Sequence, residues 1–180
     1  MSVRKENKEI KDISVIEHLL RTCPVGRLGT IGRDGYPMVK PLNFAYHGGN
    51  IYFHTALSGE KIEDINRDNR VCFETDLPIA FVRAKNQPCE AEYLYRSVII
   101  KGSAGVVIDP DERTKAFKAL MAKYQPEGGY GPYQLKKLEL TGIVRIDIEE
   151  MVGKEDLGKG DLREQALKAL DLGLALPIVL

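Results

Sequence analysis

No sign of charge prevails in this 180-residue chain. Its 26 Lys and Arg are matched by 26 Asp and Glu, so no global field draws in nucleic acid or an anionic membrane, and any bound anion must be held by a local cluster. Cysteine is scarce. Cys23, Cys72 and Cys89 are odd in number and show no CxxC spacing, which argues against a disulfide framework or zinc site and suits a reducing cytoplasm. Histidine is limited to His18, His47 and His54, with no metal-spaced pair and no Ser-His-Asp order, so metal-dependent and hydrolytic chemistry have little support. No run approaches the roughly 20 apolar residues of a membrane span. The N-terminal MSVRKENKEIKDIS has no apolar signal core, and GLALPIVL near the C-terminus is short and interrupted by Pro177. No P-loop or internal repeat is present, and Gly26-x-x-Gly29-x-x-Gly32 lacks the spacing and following helix of a dinucleotide fingerprint.

With 43% hydrophobic and 29% charged residues the chain has the composition of an ordinary globular protein, and its length suits one domain with a sizeable core. SVIEHLLR reads as a short amphipathic helix capped by Ser14 and stopped before Pro24, with His18 at its surface. RLGTI, the Gly32-Arg33-Asp34-Gly35 turn and YPMVKPLNFAY read as a hairpin, because Asp-Gly between β-rich runs is a strong turn signal. His47-Gly48-Gly49-Asn50 turns the chain into IYFHTA, which predicts a three-stranded meander. RVCFETD and a shorter IAFVRA read as two further strands. EYLYRSVIIKGSAGVVI is either one long strand or a pair bent at Gly102 and Gly105. Asp109 to Glu112 opens a second helix, TKAFKALMAKY. QPEGGYGPY is either a flexible lid or a plain connection, and LTGIVRIDIEEM reads as a last strand. The tail DLREQALKALDLGL places Leu162, Ala166, Leu170 and Leu174 on one helical stripe. Strands separated mostly by turns, with few and scattered helices, predict a closed antiparallel barrel rather than a parallel βαβ sheet.

The stretch Ile51 to Glu74 concentrates the chemistry. A strand runs into a helix through Ser58-Gly59-Glu60-Lys61, and with Ser58 as N-cap, Lys61 falls where a capping box would place Glu or Gln. A cation in the first turn opposes the helix dipole by roughly 0.3 to 1 kcal/mol unless an anion lies between them, so the segment is either a phosphate cradle or an ordinary helix whose Lys61 points to water. His54 leaves the strand just before the cradle, either to meet a ligand or to bond to backbone as a half-buried strand residue. In Val39-Lys40-Pro41-Leu42-Asn43, Pro41 removes a ladder donor and marks an edge or an opening that admits a flat ring. Arg96 and Ser97 begin an apolar run and need polar partners; Arg96 is either a second cation for a phosphate or half of a salt bridge.

GRLGT, DGYPMVKPLNF, YFHTA with GEK, RVCFE and RSVIIKGSA occur here in order, and over about Val25 to Ile148 the chain resembles the flavin-nucleotide-binding split-barrel family related to pyridoxamine 5'-phosphate oxidase. The resemblance is closest to the branch that includes the nitroimidazole-resistance (Nim-type) reductases. It implies a mainly β fold, a six-stranded antiparallel split barrel with a few peripheral helices, occupying residues 1–154, with residues 155–180 as a helical tail on the barrel or on a dimer partner. It also implies a homodimer with FMN at the subunit interface. Val39, Lys40, Pro41, Leu42 and Asn43 would then line the isoalloxazine edge, largely through backbone. His54, Thr55 and Ala56 would follow the ring and ribityl chain, Ser58, Gly59 and Lys61 would hold the phosphate, and Arg96 and Ser97 would reach the flavin from the neighbouring subunit. Two departures stand out. Glu60 occupies a position where many relatives carry a basic residue, which leaves the phosphate one cation fewer. The chain has no tryptophan and ends the barrel with RIDIEEMVGK, unlike the substrate block of the true oxidases, which puts vitamin B6 oxidation in doubt.

The resemblance implies a cytoplasmic flavoprotein that takes electrons from a reduced nicotinamide, NAD(P)H, and passes them to a small-molecule substrate such as a nitroaromatic or quinone, with no nucleic acid or membrane partner. His54 is the candidate catalytic side chain. The alternatives are a non-catalytic flavin carrier or sensor, and a haem-binding barrel with His54 or His47 as axial ligand.

Overall fold

In the computed structural model, residues 1, 3–134, 137–138 and 140–180 are described. They form two compact units, each assembled from separate stretches of chain: Leu20–Thr75 with Ile99–Met151, and Met1–Leu19 with Asp76–Val98 and Val152–Leu180. The fold is mainly β. Its nine strands are β1 (Glu9–Ile10), β2 (Gly26–Ile31), β3 (Pro37–Leu42), β4 (Ala45–His47), β5 (Asn50–Thr55), β6 (Arg70–Val82), β7 (Glu92–Val106), β8 (Gly142–Asp156) and β9 (Ile178–Val179). The helices are α1 (Ile13–Thr22), α2 (Glu60–Arg67), α3 (Pro110–Tyr124) and α4 (Asp161–Asp171). The sheet runs in the order β3-β2-β6-β7-β8-β5-β4, with β1 on β8 and β9 on β6, so the described residues carry more than the six strands that the resemblance implies.

Both turns form as their residues dictate. Gly35 takes φ 85° and Asp34 accepts from the Tyr36 amide at 3.1 Å, which sets β2 against β3 from Gly26↔Leu42 to Ile31↔Pro37. Gly48 and Gly49 take φ 58° and 82°, the left-handed pair that a two-residue hairpin requires, and join His47 to Asn50. The three-stranded meander does not form, because YPMVKPLNFAY divides into β3 and β4, which stand at opposite ends of the strand order. Phe44 is the cause. Its ring is fully buried, edge-on to Phe73 at 4.8 Å, and its amide donates to the Tyr124 hydroxyl at 2.9 Å, which takes the chain out of the sheet between the two strands.

RVCFETD and the first four residues of IAFVRA also differ from expectation: they lie on the single strand β6, which accommodates Pro78. β7 likewise runs unbroken through Gly102 and Gly105. The cap of α1 is Asp12 rather than Ser14, since its carboxylate accepts from the Ser14 amide at 2.9 Å and hydroxyl at 2.7 Å. Asp109 caps α3 by accepting from the Glu112 amide at 2.7 Å.

In the unit that contains β2 to β5, Leu28, Phe44, Phe53 and Phe73 are fully buried. Under α3 a cluster of Ala45, Tyr52, Val107, Ala116, Leu120 and Ile143 seals the β5 side. In the other unit Ile79, Ala80, Leu94, Leu157 and Ala166 pack together, with Leu167 and Leu170 of α4 against them. Charge surrounds that cluster: Lys8 pairs with Asp156, and Glu155 accepts from Arg96 at 3.0 Å and Arg163 at 3.3 Å.

Candidate functional site

The start of α2 is held by a buried polar tie. Asp64, 1% exposed, accepts from the Thr30 hydroxyl of β2 at 3.0 Å and from Arg67 at 2.8 Å, while Arg67 also donates to the Ile31 carbonyl. The Arg67 hydrogen bond is the main reason the Asp64 carboxyl is held below the usual carboxylate range; burial opposes it, and the Thr30 hydroxyl assists. Ile62 and Ile65 are buried beside this tie. Together these contacts fix where the first turn of α2 points.

The N-cap of that turn is Gly59 and not Ser58. Gly59 adopts φ 113°, a conformation that suits glycine, and its carbonyl accepts from the Ile62 and Glu63 amides at 2.9 and 3.0 Å. No side chain caps the helix, and Ser58 is exposed. Lys61 is therefore the second helical residue, closer to the positive pole than the sequence suggests.

Lys61 nevertheless turns inward. Its Nζ lies 3.5 Å from Thr55 Oγ1, at the limit of hydrogen bonding, and 5.3 Å from the centre of the Phe53 ring. Lys40 of β3 stands near enough for its charge to act on it. Burial first, and the Lys40 charge second, push the Lys61 ammonium below its ordinary pKa. Lys40 Nζ stands 2.7 Å from the Glu60 carboxylate, yet it is shielded from solvent and the approach is too oblique to make a hydrogen bond. Two partly dehydrated ammonium groups thus converge on an uncapped helix start, where the mostly exposed Glu60 carboxylate pairs with Lys40 and the charge of the buried Asp64, itself bonded to Arg67, also acts on Lys40. The residues present fit an anion with several acceptor oxygens.

The structure brings Lys40, Thr55 and Lys61 together, and adds Glu60, Asp64 and Thr30, which sequence reasoning missed as a group. The Glu60-to-Asp64 spacing puts both acids on one face of α2 and was the available signal. Lys40, expected along a ring edge through its backbone, contributes its side chain. Val39, Pro41 and Asn43 are exposed and Leu42 is half-buried, and β3 lies at one end of the strand order, so Pro41 sits on an edge strand. His54 and Ala56 are exposed, and strand alternation turns His54 away from the face that carries Phe53 and Thr55. Arg96 and Ser97 belong to the other unit, where Arg96 pairs with Glu155.

A cleft of about 400 Å³ opens near Gly29, Cys72 and Lys101, and Gly29 stands in register between Val39 and Cys72. Neither lysine of the cradle lines it, so the hollow and the charged site do not coincide. Burial raises the Cys72 thiol's pKa, against the opposing pull of Lys101. Among the described residues no group of His, Cys, Asp and Glu is placed to hold a metal ion, and no helix is long and apolar enough to cross a membrane.

The mainly β, antiparallel split-barrel fold defines the class. The family model described as pyridoxamine 5'-phosphate oxidase matches residues 12–155, and the chain belongs to that family. Solved structures agree on the fold. One is a candidate 5-nitroimidazole antibiotic resistance protein from Bacteroides thetaiotaomicron, 24% identical, with TM-score 0.71 over 82% of this chain and 86% of the other. The flavocytochrome Anf3 from Azotobacter vinelandii is 19% identical, with TM-score 0.76 over 91% and 78%. An FAD and heme binding protein from Mycobacterium smegmatis is 20% identical, with TM-score 0.75 over 90% and 80%. No functionally curated protein matches the chain.

Proposed function

We propose that this protein is an FMN-binding oxidoreductase that acts as a homodimer and passes electrons from a reduced nicotinamide to a small acceptor such as a nitroaromatic or quinone. The observation that carries this reading is the convergence of Lys40 and Lys61, one without a well-formed hydrogen bond and the other partly dehydrated, on the uncapped start of α2. Family membership and the flavin-binding neighbours support FMN as the anion's source. Its isoalloxazine would supply hydride and electron transfer when bound.

The chain's own residues bind and orient. Lys61, Thr55 and the Gly59 turn hold the phosphate, the edge strand from Val39 to Asn43 offers backbone groups to the ring, and His54, exposed on the face of β5 opposite Thr55, orients the acceptor or supplies its proton from outside the cradle. Arg96 and Ser97 of a second copy complete the site. Three cysteines without CxxC spacing suit a reducing cytoplasm.

Titration of flavin-free protein with FMN tests the cradle. Lys61→Ala is expected to weaken binding about 10- to 100-fold, the loss of one charge-assisted hydrogen bond. Unchanged affinity would reject the assignment. Bleaching of the bound flavin's absorbance by reduced nicotinamide supports the enzyme, whereas no bleaching with any donor supports a carrier or sensor.

A further inference from the structure

Glu60, the first residue of α2, carries an exposed charge that opposes a phosphate. Its carboxylate stands 2.7 Å from Lys40 Nζ, an atom without solvent contact and without a well-directed hydrogen bond. The Glu60 side chain itself is 59% exposed, so it can return to water at little cost, while Lys40, only 25% exposed, cannot. Of the other charges nearby, Asp64 is committed to Arg67 and Thr30, and Lys61 repels Lys40. Glu60 is therefore Lys40's exchangeable counter-ion.

We propose that Glu60 is a built-in competitor for the phosphate of FMN: its carboxylate pairs with Lys40 and must be displaced for phosphate to take that lysine, so Glu60 sets the affinity for the phosphorylated flavin. This rests on the flavin-phosphate reading of the α2 start. A phosphate that gains Lys40 takes it from Glu60, and the released carboxylate lies beside a group of the same sign. Both effects oppose binding, and both depend on the phosphate and not on the ring.

The test compares FMN with riboflavin, which has the same ring system but no phosphate, by fluorescence titration of flavin-free protein. Glu60→Gln keeps the side chain's length and removes its charge at an exposed position. It is expected to bind FMN about fivefold more tightly, the upper end for release of one partly exposed ion pair, with riboflavin affinity unchanged. In a Lys40→Ala background the same substitution is expected to gain much less, because no pair remains to be broken. FMN affinity that is unaltered or lower in Glu60→Gln, or a gain that riboflavin shares equally, overturns the proposal. If the unsubstituted protein and Lys61→Ala both bind FMN no better than riboflavin, the phosphate reading itself falls, a result distinguishable from failure at Glu60 alone.

Discussion

Asp64 shows how a single buried charge positions the site. The carboxylate joins Thr30 of β2 to Arg67 at the far end of α2, and it stands four residues after Glu60. Asp64→Asn keeps the shape but removes the charge that Arg67 pairs with, and is expected to destabilise the protein by about 2 to 3 kcal/mol at neutral pH. The sign of the pH dependence follows from the lowered pKa. The native state binds its proton less readily than the unfolded chain, so the stabilisation is complete above the ordinary carboxylate range and is lost as pH falls through the native value. Urea unfolding of both forms at about pH 7 and about pH 3 checks this, with the gap between them narrowing in acid. An equal gap at both values would contradict it. Lys40 and Lys61 were individually visible in the sequence. Their encounter with Glu60 was not, because it depends on β3 and α2 both being set against β2.

At the scale of elements, glycine positions that look alike in sequence differ in space. Gly102 and Gly105 both lie in β7, and either could have bent it. A Cβ on Gly102 would fall 2.1 Å from the Asp147 carbonyl oxygen of β8, a backbone atom that cannot step aside, whereas one on Gly105 would meet nothing within 4 Å. Gly102→Ala is expected to cost about 3 kcal/mol or more, with Gly105→Ala within about 0.5 kcal/mol of the parent. Thermal unfolding of the two variants decides it, and equal melting temperatures would show that β8 yields at this point. The hairpin turns were legible from Asp34-Gly35 and Gly48-Gly49, since a turn's conformation is set by the residues inside it. The α3 cap at Asp109 was legible for the same reason, while the α1 cap was misplaced by two residues because Ser14 and Asp12 are both competent caps.

At the scale of the whole molecule, the unit made of Leu20–Thr75 and Ile99–Met151 contains every candidate site residue except Arg96 and Ser97. The proposed homodimer supplies that pair from a second copy. Light scattering is expected to give twice the 20.1 kDa chain mass, and a single-chain mass would remove Arg96 and Ser97 of a partner from the site.

The sequence by itself determined the local features: the hairpin turns, the acidic opening of α3, the lysine in the first turn of α2 and an antiparallel rather than parallel sheet. Each is set by residues a few positions apart. Only the tertiary structure decided that β3 and β4 part at Phe44, because that ring is drawn into the core against Phe73 and its amide finds a partner 80 residues away in Tyr124. Only the fold, too, set Glu60 against Lys40, by packing α2 beside β2 and so bringing a helix start to an edge strand. Those contacts join distant parts of the chain, and their energies come from burial and charge in a shared interior that no short stretch of sequence contains.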